Sequence, residues 1–393
     1  MLESVVVPKA LKVLHVAETL RGGPATYLNN VVAMISSEPG STLVLVPEWH
    51  AGDLTIDRAC VRVFGGDRRG ISSLLSMSVA VLKLVREFQP DIINVHGTLA
   101  AAVCRSLFSL TKCRKRIVYT VHCWAFVREQ SLISKTMAQA IELFLSHFCA
   151  KIICVSRYQY LAARAIGISR HRLERIYNGI ADRPAKRSRP ERTGALELLF
   201  IGRFDRQKGL DILLAAAGEF EDLIKVRVIG ANVVDRAGTR QIPPNVTFLG
   251  WKSSREIEAE LGNCDVVVMP SRWESFGLVA LEAMRAGRPV LASRIGGLNE
   301  VVKHQITGLL FSPVTTDGLV EGIRRCLDAD LTALGRNGEL RVRSRFPASR
   351  SSRHLALVYA QVHAKNGFEA GSLGLRSGNH RKFEWKVLGG WFS

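Results

Sequence analysis

The sequence predicts an α/β chain of two Rossmann-like domains in tandem with a cleft between them. Two observations carry this. Short apolar runs of strand length alternate with longer stretches of helical periodicity along most of the chain, the pattern of parallel strands covered by helices. The alternation breaks once, at Arg183–Gly194 (RPAKRSRPERTG), where two prolines and a charge cluster replace any apolar run. The length of 393 residues also suits two domains of roughly 100–200 residues each.

In the first half, Leu11–Ala17 (LKVLHVA) reads as a buried strand, followed by the turn Arg21-Gly22-Gly23-Pro24 and a helical pattern through Ile35. Further strands are expected at Asp91–His96, Arg116–Val121 and Lys151–Ser156, with helices at Ile71–Phe88 and Ser131–Phe148. A second series follows at Glu197–Gly202, Lys225–Gly230, Asn245–Gly250, Asp265–Pro270 and Arg288–Ser293. The boundaries drawn are residues 1–183 for the first domain, 184–194 for the linker and 195–345 for the second domain. Residues 346–365 read as a helix returning to the first domain, and 366–393, rich in Gly, Ser and basic residues, as a loosely ordered tail.

Composition narrows the function classes. Hydrophobic residues at 47% and charged residues at 23% suit a globular chain with real cores. A net charge of +19, from 54 Lys+Arg against 35 Asp+Glu, calls for a negatively charged partner. Nucleic acid is set aside, because none of its binding motifs occurs and the basic residues are not interleaved with aromatics. No stretch supplies the roughly 20 apolar residues of a membrane span, and Met1–Ala10 lacks a signal-peptide pattern. The eight cysteines are scattered without a Cys-x-x-Cys pair, as expected of reduced core thiols in a reducing compartment. The expectation is a cytoplasmic protein. Basic clusters at Arg114-Lys115-Arg116, between Arg164 and Arg175 and in the linker suggest peripheral attachment to an anionic membrane surface, the two helices of the first domain supplying an apolar face.

The most informative segment is Pro270–Gly287 (PSRWESFGLVALEAMRAG), which follows a strand and places Glu274, Ser275 and Phe276 in a turn before a helix beginning near Gly277. Ligands of doubly wound sheets bind at the carboxyl ends of strands. A helix start there offers unpaired N–H groups and the positive end of the helix dipole, which suits a diphosphate. Glu282 lies one turn inside that helix, so Glu274 and Glu282 can bracket one ligand. Upstream, Gly202 to Gly209 (GRFDRQKG) carries Arg203 and Lys208 at another strand end, two cations able to converge on the same diphosphate. In the first domain, Gly22 and Gly23 leave room for a ligand at the equivalent strand end. His122 ends a further strand, where its imidazole can meet a sugar hydroxyl.

In this order the motifs resemble the family 4 retaining glycosyltransferases of GT-B fold, over roughly Leu11 to Val362. The resemblance rests on Gly22-Gly23, Thr120-Val121-His122, Val155-Ser156, Asn178-Gly179, Gly202 to Gly209, and Glu274 with Glu282 seven residues beyond its neighbour. It implies that Arg203 and Lys208 hold a donor diphosphate with backbone N–H groups of Phe276, Gly277 and Leu278. Glu282 would bind the ribose, Glu274 the transferred sugar, and His122 would lie beside that sugar on the opposite wall, with Gly22 and Gly23 closing over the diphosphate. The leaving phosphate itself would help deprotonate the acceptor, so no protein nucleophile is assigned. The acceptor implied is a lipid-linked or growing surface glycan, as in polysaccharide or lipopolysaccharide assembly.

Three positions depart from the family pattern: Cys123 after His122, Ala231-Asn232 after a strand of the second domain, and Ala181 in Asn178-Gly179-Ile180-Ala181. The first two bear on donor identity more than on reaction class; at the third, where Asp commonly fills the fourth place, Asp182 follows directly. No metal or cofactor is expected, since no His/Cys cluster has ligand spacing and Asp328-Ala329-Asp330 reads as helix-end charge. The rival readings are a nucleotide-sugar epimerase of the same fold and a non-catalytic nucleotide-sugar-binding subunit. A dehydrogenase is disfavoured because no Gly-x-Gly-x-x-Gly follows the first strand.

Overall fold

The computed structural model describes residues 11–20, 22–35, 40–67, 70–181, 194–231 and 242–371. The first domain contains strands β1 (Val13–Ala17), β2 (Thr42–Pro47), β3 (Val61–Phe64), β4 (Ile92–His96), β5 (Ile117–Val121), β6 (Lys151–Cys154) and β7 (Leu173–Arg175). Its helices are α1 (Gly23–Ile35), α2 (Ile71–Phe88), α3 (Thr98–Leu107), α4 (Leu132–Leu145) and α5 (Arg157–Ala165). The second domain contains β8 (Leu196–Ile201), β9 (Ile224–Ile229), β10 (Val246–Gly250), β11 (Val266–Met269), β12 (Val290–Ser293) and β13 (Gly308–Phe311). Its helices are α6 (Leu210–Ala217), α7 (Ser254–Asn263), α8 (Leu278–Arg285), α9 (Leu298–Val301), α10 (Thr316–Asp328) and α11 (Leu331–Arg345), and α12 (Ala348–Gly371) ends the described chain.

The strands run parallel in two sheets, ordered β3-β2-β1-β4-β5-β6-β7 and β10-β9-β8-β11-β12-β13. The order reverses between β1 and β4 in one sheet and between β8 and β11 in the other. At such a switch point neighbouring crossovers leave on opposite faces and open a crevice at the carboxyl ends of the strands. Helices cover both faces, so the central strands β1, β4, β5 and β11 are buried along their whole length and are mostly apolar, with His15, Asn94, His96 and Thr120 as buried polar exceptions.

The strands expected from the sequence are all present, each within a few residues of its predicted limits. β2, β3, β7 and β13 lie outside that reading for physical reasons. β2 (TLVLVP) is a continuous apolar run, which periodicity alone cannot separate from a helix segment. β3 and β7 are short edge strands with exposed residues, and four-residue β13 is defined by its pairing with β12.

The chain leaves the second domain at Phe346. Ile180 N–H donates to the Phe346 carbonyl at 2.9 Å, and Ala348 N–H donates to the Ile180 carbonyl at 3.0 Å. At Gly179 a Cβ would lie 2.5 Å from Ala348 Cα, so the Asn178-Gly179 turn is glycine because the returning chain presses on it. Beyond this point α12 places Leu355, Val358, Tyr359 and Val362 in one core with β1 and α1 of the first domain. The helix continues to Gly371, so residues 366–371, assigned to the tail on sequence, are helical. Residues 372–393 and most of the linker, 184–193, lie outside the described residues.

Candidate active site between the domains

A cleft of about 640 Å³ opens between the carboxyl ends of the two sheets. Gly22, Gly23, His122, Arg203, Lys208, Glu274, Phe276, Gly277, Leu278 and Glu282 all line it. These residues come from four segments widely spaced in sequence, those that follow β1, β5, β8 and β11, and the carboxyl ends of the parallel strands bring them together.

On the wall formed by the second domain, the segment after β8 turns back at Gly209, whose φ is +67° and where a Cβ would sit 2.0 Å from the Pro270 carbonyl oxygen. Only glycine fits there, and the close approach holds the Gly202–Gly209 loop against the segment after β11. Arg272 clamps the two together, with Nη1 and Nη2 donating to the Asp211 carboxylate at 2.7 and 2.6 Å and its N–H donating to the Gln207 carbonyl at 2.8 Å. Lys208 Nζ lies 2.5 Å from Glu274 Oε2. Arg203 Nη2 lies 2.9 Å from Asp205 Oδ2 and donates to Gln207 Oε1 at 3.0 Å. Both cations are therefore oriented before any ligand arrives, which lowers the entropy lost on binding an anion.

Gly277 caps α8 at φ +98°, and a Cβ there would meet Leu298 Cδ2 at 2.7 Å. Packing and backbone both require glycine, independently of any phosphate. Leu278 and Val279 at the start of α8 line the cleft together with Lys208, at helix positions whose N–H groups have no acceptor in the preceding turn, whereas the Ala280 N–H donates to the Gly277 carbonyl at 3.0 Å. One turn on, burial pushes the Glu282 carboxyl up to about 7, Arg285 opposing and Glu258 adding to the rise. Arg285 is largely engaged elsewhere, donating to Glu258 at 3.1 Å and to the Ala181 carbonyl at 3.1 Å.

On the opposite wall, α1 starts at Gly23, where a Cβ would come 3.5 Å from Leu278 Cδ1, while Gly22 turns at φ +80° into open space. The glycine pair thus faces the start of α8 across the cleft. His122 follows β5, and its Nε2 lies 3.2 Å from His96 Nδ1. Burial holds the His122 imidazolium down to about 4, so the ring is neutral at physiological pH. Tyr27 of α1 meets it edge-on at 5.1 Å between centroids.

Several cleft residues were not singled out on sequence. Glu18, directly after β1, accepts the Ala100 N–H at 2.9 Å at the start of α3, and burial raises its pKa against that hydrogen bond. Its signal was available, a carboxylate at a strand end four residues before the glycine pair. Arg128, Thr98, Trp251 and Lys252 also line the cleft, with no motif to mark them. The divergent Cys123 is at the site, whereas Ala231 borders residues 232–241 outside the described ones.

The ties between the domains were equally illegible. Glu300 accepts from the Arg157 and Tyr158 N–H groups at 2.8 and 2.7 Å and from the Tyr177 hydroxyl at 2.9 Å, so a carboxylate of the second domain caps α5 of the first. Gln159 Nε2 donates to Ser275 Oγ at 2.9 Å, and Arg206 Nε lies 2.6 Å from Glu129 Oε2. Ser156 is an N-cap, accepting the Gln159 N–H at 3.1 Å. Asp330 likewise caps α11 by accepting the Ala333 N–H. Among the described residues, no group of three or more His, Cys, Asp or Glu could hold a metal ion, and no helix is long and apolar enough to cross a membrane.

Residues 21–183 match the family described as Glycosyltransferase Family 4, and residues 182–341 match Glycosyl transferases group 1. An uncharacterized 41.2 kDa protein in the cps region of Klebsiella pneumoniae is 33% identical over 324 residues, 79% of this chain and 88% of that protein. A glycogen synthase of Mycobacterium tuberculosis is 30% identical over 297 residues, covering 72% of this chain and 71% of the relative. Among solved structures, Anabaena Alr3699/HepE in complex with UDP superposes with a TM-score of 0.72 at 20% identity, over 89% of this chain and 100% of that one. The fold and the matches across both halves establish that the chain belongs to the family 4 glycosyltransferases of GT-B fold.

Proposed function

We infer that this glycosyltransferase transfers a hexose, with retention of configuration, from a nucleoside-diphosphate sugar to a lipid-linked or growing surface glycan, without a metal ion. The observation that carries the donor half is the convergence of Arg203, Lys208 and the α8 N-terminus on one cleft that also holds Glu282. Departure of a nucleoside diphosphate concentrates negative charge on its phosphates, and pre-oriented cations with helix N–H groups stabilise that charge where it develops. In this reading Arg203 and Lys208 grip the diphosphate, Glu282 takes the ribose hydroxyls, Glu274 a hydroxyl of the transferred sugar, and His122 faces that sugar from the other wall. Gly22 and Gly23 close over the phosphates. The solved Anabaena structure binds UDP, and a further crystal structure of it carries UDP-glucose, which supports a uridine donor here.

The acceptor half rests on the first domain's outer surface. α2, α3 and α4 cover one sheet face, and all start at the strand ends where the cleft opens. Their outward residues include Ile71, Leu75, Val79, Leu99, Leu132, Ile133 and Met137, with Ile133 82% exposed. α4 is inverted relative to an ordinary surface helix: it buries Glu142, paired with Arg105 at 2.8 Å, and turns Ile133, Met137, Ile141 and Phe144 outward. An apolar face of this kind on a chain of charge +19 suits an anionic bilayer presenting a lipid-linked acceptor. The basic clusters contribute less to this face, since Arg114, Arg116, Arg164 and Arg172 each donate to a backbone carbonyl.

Calorimetric titration with UDP, GDP and ADP tests the donor site. Selective binding of one nucleotide, lost in Arg203→Ala and Lys208→Ala, is the expected result; no binding to folded protein would overturn the assignment. Flotation with anionic and neutral liposomes tests the acceptor surface, where Ile133→Glu/Met137→Glu should abolish association.

A further inference from the structure

Three imidazoles stand in a row behind the first-domain wall. His15 Nδ1 lies 3.0 Å from His96 Nε2, and His96 Nδ1 lies 3.2 Å from His122 Nε2. Neighbouring rings are stacked, 5.3 and 5.4 Å apart between centroids. His15 and His96 are fully enclosed, and His15 Nε2 has no hydrogen-bond partner among the described residues. Only His122, at the end of the row, reaches the cleft. Burial keeps all three rings neutral, lowering His15 to about 3 and His122 to about 4, and holding His96 well below the ordinary value.

A neutral imidazole carries one N–H and one bare nitrogen. His96 uses both nitrogens, so donation at one contact forces acceptance at the other, and the row has two proton arrangements. In one, His15 Nδ1–H donates to His96 and His96 Nδ1–H donates to His122, which leaves His122 Nδ1–H for the cleft and a bare lone pair at His15 Nε2. In the other every bond reverses, and an N–H is stranded at His15 Nε2 with no acceptor in reach. Buried donors without a partner are rarer in proteins than under-satisfied acceptors, which selects the first arrangement. Tyr27 fixes the ring planes, lying 5.1 Å from His122 and 5.7 Å from His96.

We propose that His15 and His96 are positioning residues that hold His122 as a hydrogen-bond donor through Nδ1–H, so that it recognises an oxygen lone pair of the sugar or phosphate and does not serve as the base that takes the acceptor's proton. The nature of the ligand rests on the glycosyl-transfer reading of the cleft, whereas the tautomer does not. The test is therefore made on the full chain without substrate. Protein labelled with ¹⁵N at histidine is examined by long-range ¹H–¹⁵N correlation, with signals assigned from His15→Phe, His96→Phe and His122→Asn. Bare Nε2 and protonated Nδ1 at His122 and His96 are expected. A His122 protonated at Nε2 in the unaltered protein would overturn the proposal. In folded His96→Phe the His122 tautomer should become mixed, and His96→Asn, whose amide can stand where Nδ1 stood, should restore it. An unchanged His122 spectrum in folded His96→Phe would equally overturn it. If His96→Phe does not fold, the unaltered protein alone still decides the tautomer.

Discussion

Replacing Glu282 by Gln separates a residue's use from its cost to the fold. Burial pushes this carboxyl from 4.5 up to about 7, so the folded protein binds a proton more tightly than the unfolded chain. Below pH 4.5 the group is protonated in both states and contributes no difference. As pH rises from 4.5 to about 7 the unfolded chain releases its proton first, and stability falls; above 7 the loss is complete and constant. The displacement corresponds to about 3 kcal/mol. Partial exposure towards the cleft trims this to about 2 kcal/mol. Glu282→Gln keeps the shape and removes the charge, so it should raise the melting temperature of the second domain at pH 8 by about 4–8 °C and leave it nearly unchanged at pH 4.5. Calorimetric melting of both proteins at the two pH values is the assay. A variant no more stable than the parent at pH 8, or stabilised equally at both, would refute the burial argument. On the ribose-binding role proposed for Glu282, the same substitution should also weaken nucleotide binding.

The remaining predictions concern the cations, the glycines and the domain tie. Arg203→Ala and Lys208→Ala should each reduce UDP affinity about 10- to 100-fold, the worth of a charge-assisted hydrogen bond, measured by titration calorimetry; Lys208→Ala should also leave Glu274 without its partner at 2.5 Å. Gly209→Ala should fail to give folded protein by circular dichroism, because its Cβ would strike the Pro270 carbonyl. Gly22→Ala, with nothing within 4 Å, should cost about 1 kcal/mol of backbone strain. Glu300→Ala removes three interdomain hydrogen bonds, and should broaden the solution scattering envelope while nucleotide affinity stays within about threefold, since Arg203, Lys208 and Glu282, proposed to hold the diphosphate and ribose, all lie within the second domain.

Local signals carried much of this protein. The apolar runs of β1, β4, β5, β8 and β11 are long enough to be read as buried strands, because parallel sheets covered on both faces leave no polar alternation to confuse them. The cleft-lining residues Gly22, Gly23, His122, Arg203, Lys208 and Glu274, with Glu282 inside the helix beyond, could be singled out because each is a residue type suited to a phosphate or a hydroxyl near a strand end. Tertiary structure decided what depends on neighbours distant in sequence. The short edge strands exist through their pairing. Glu300 caps a helix 143 residues away, and no local pattern records that. The inverted polarity of α4 follows from the Arg105–Glu142 pair beneath it. His122 was visible as a strand-end histidine, but its neutral state and its proton's position depend on His96 and His15, which the sequence places 26 and 81 residues from their partners and only the packing of β1, β4 and β5 brings into line.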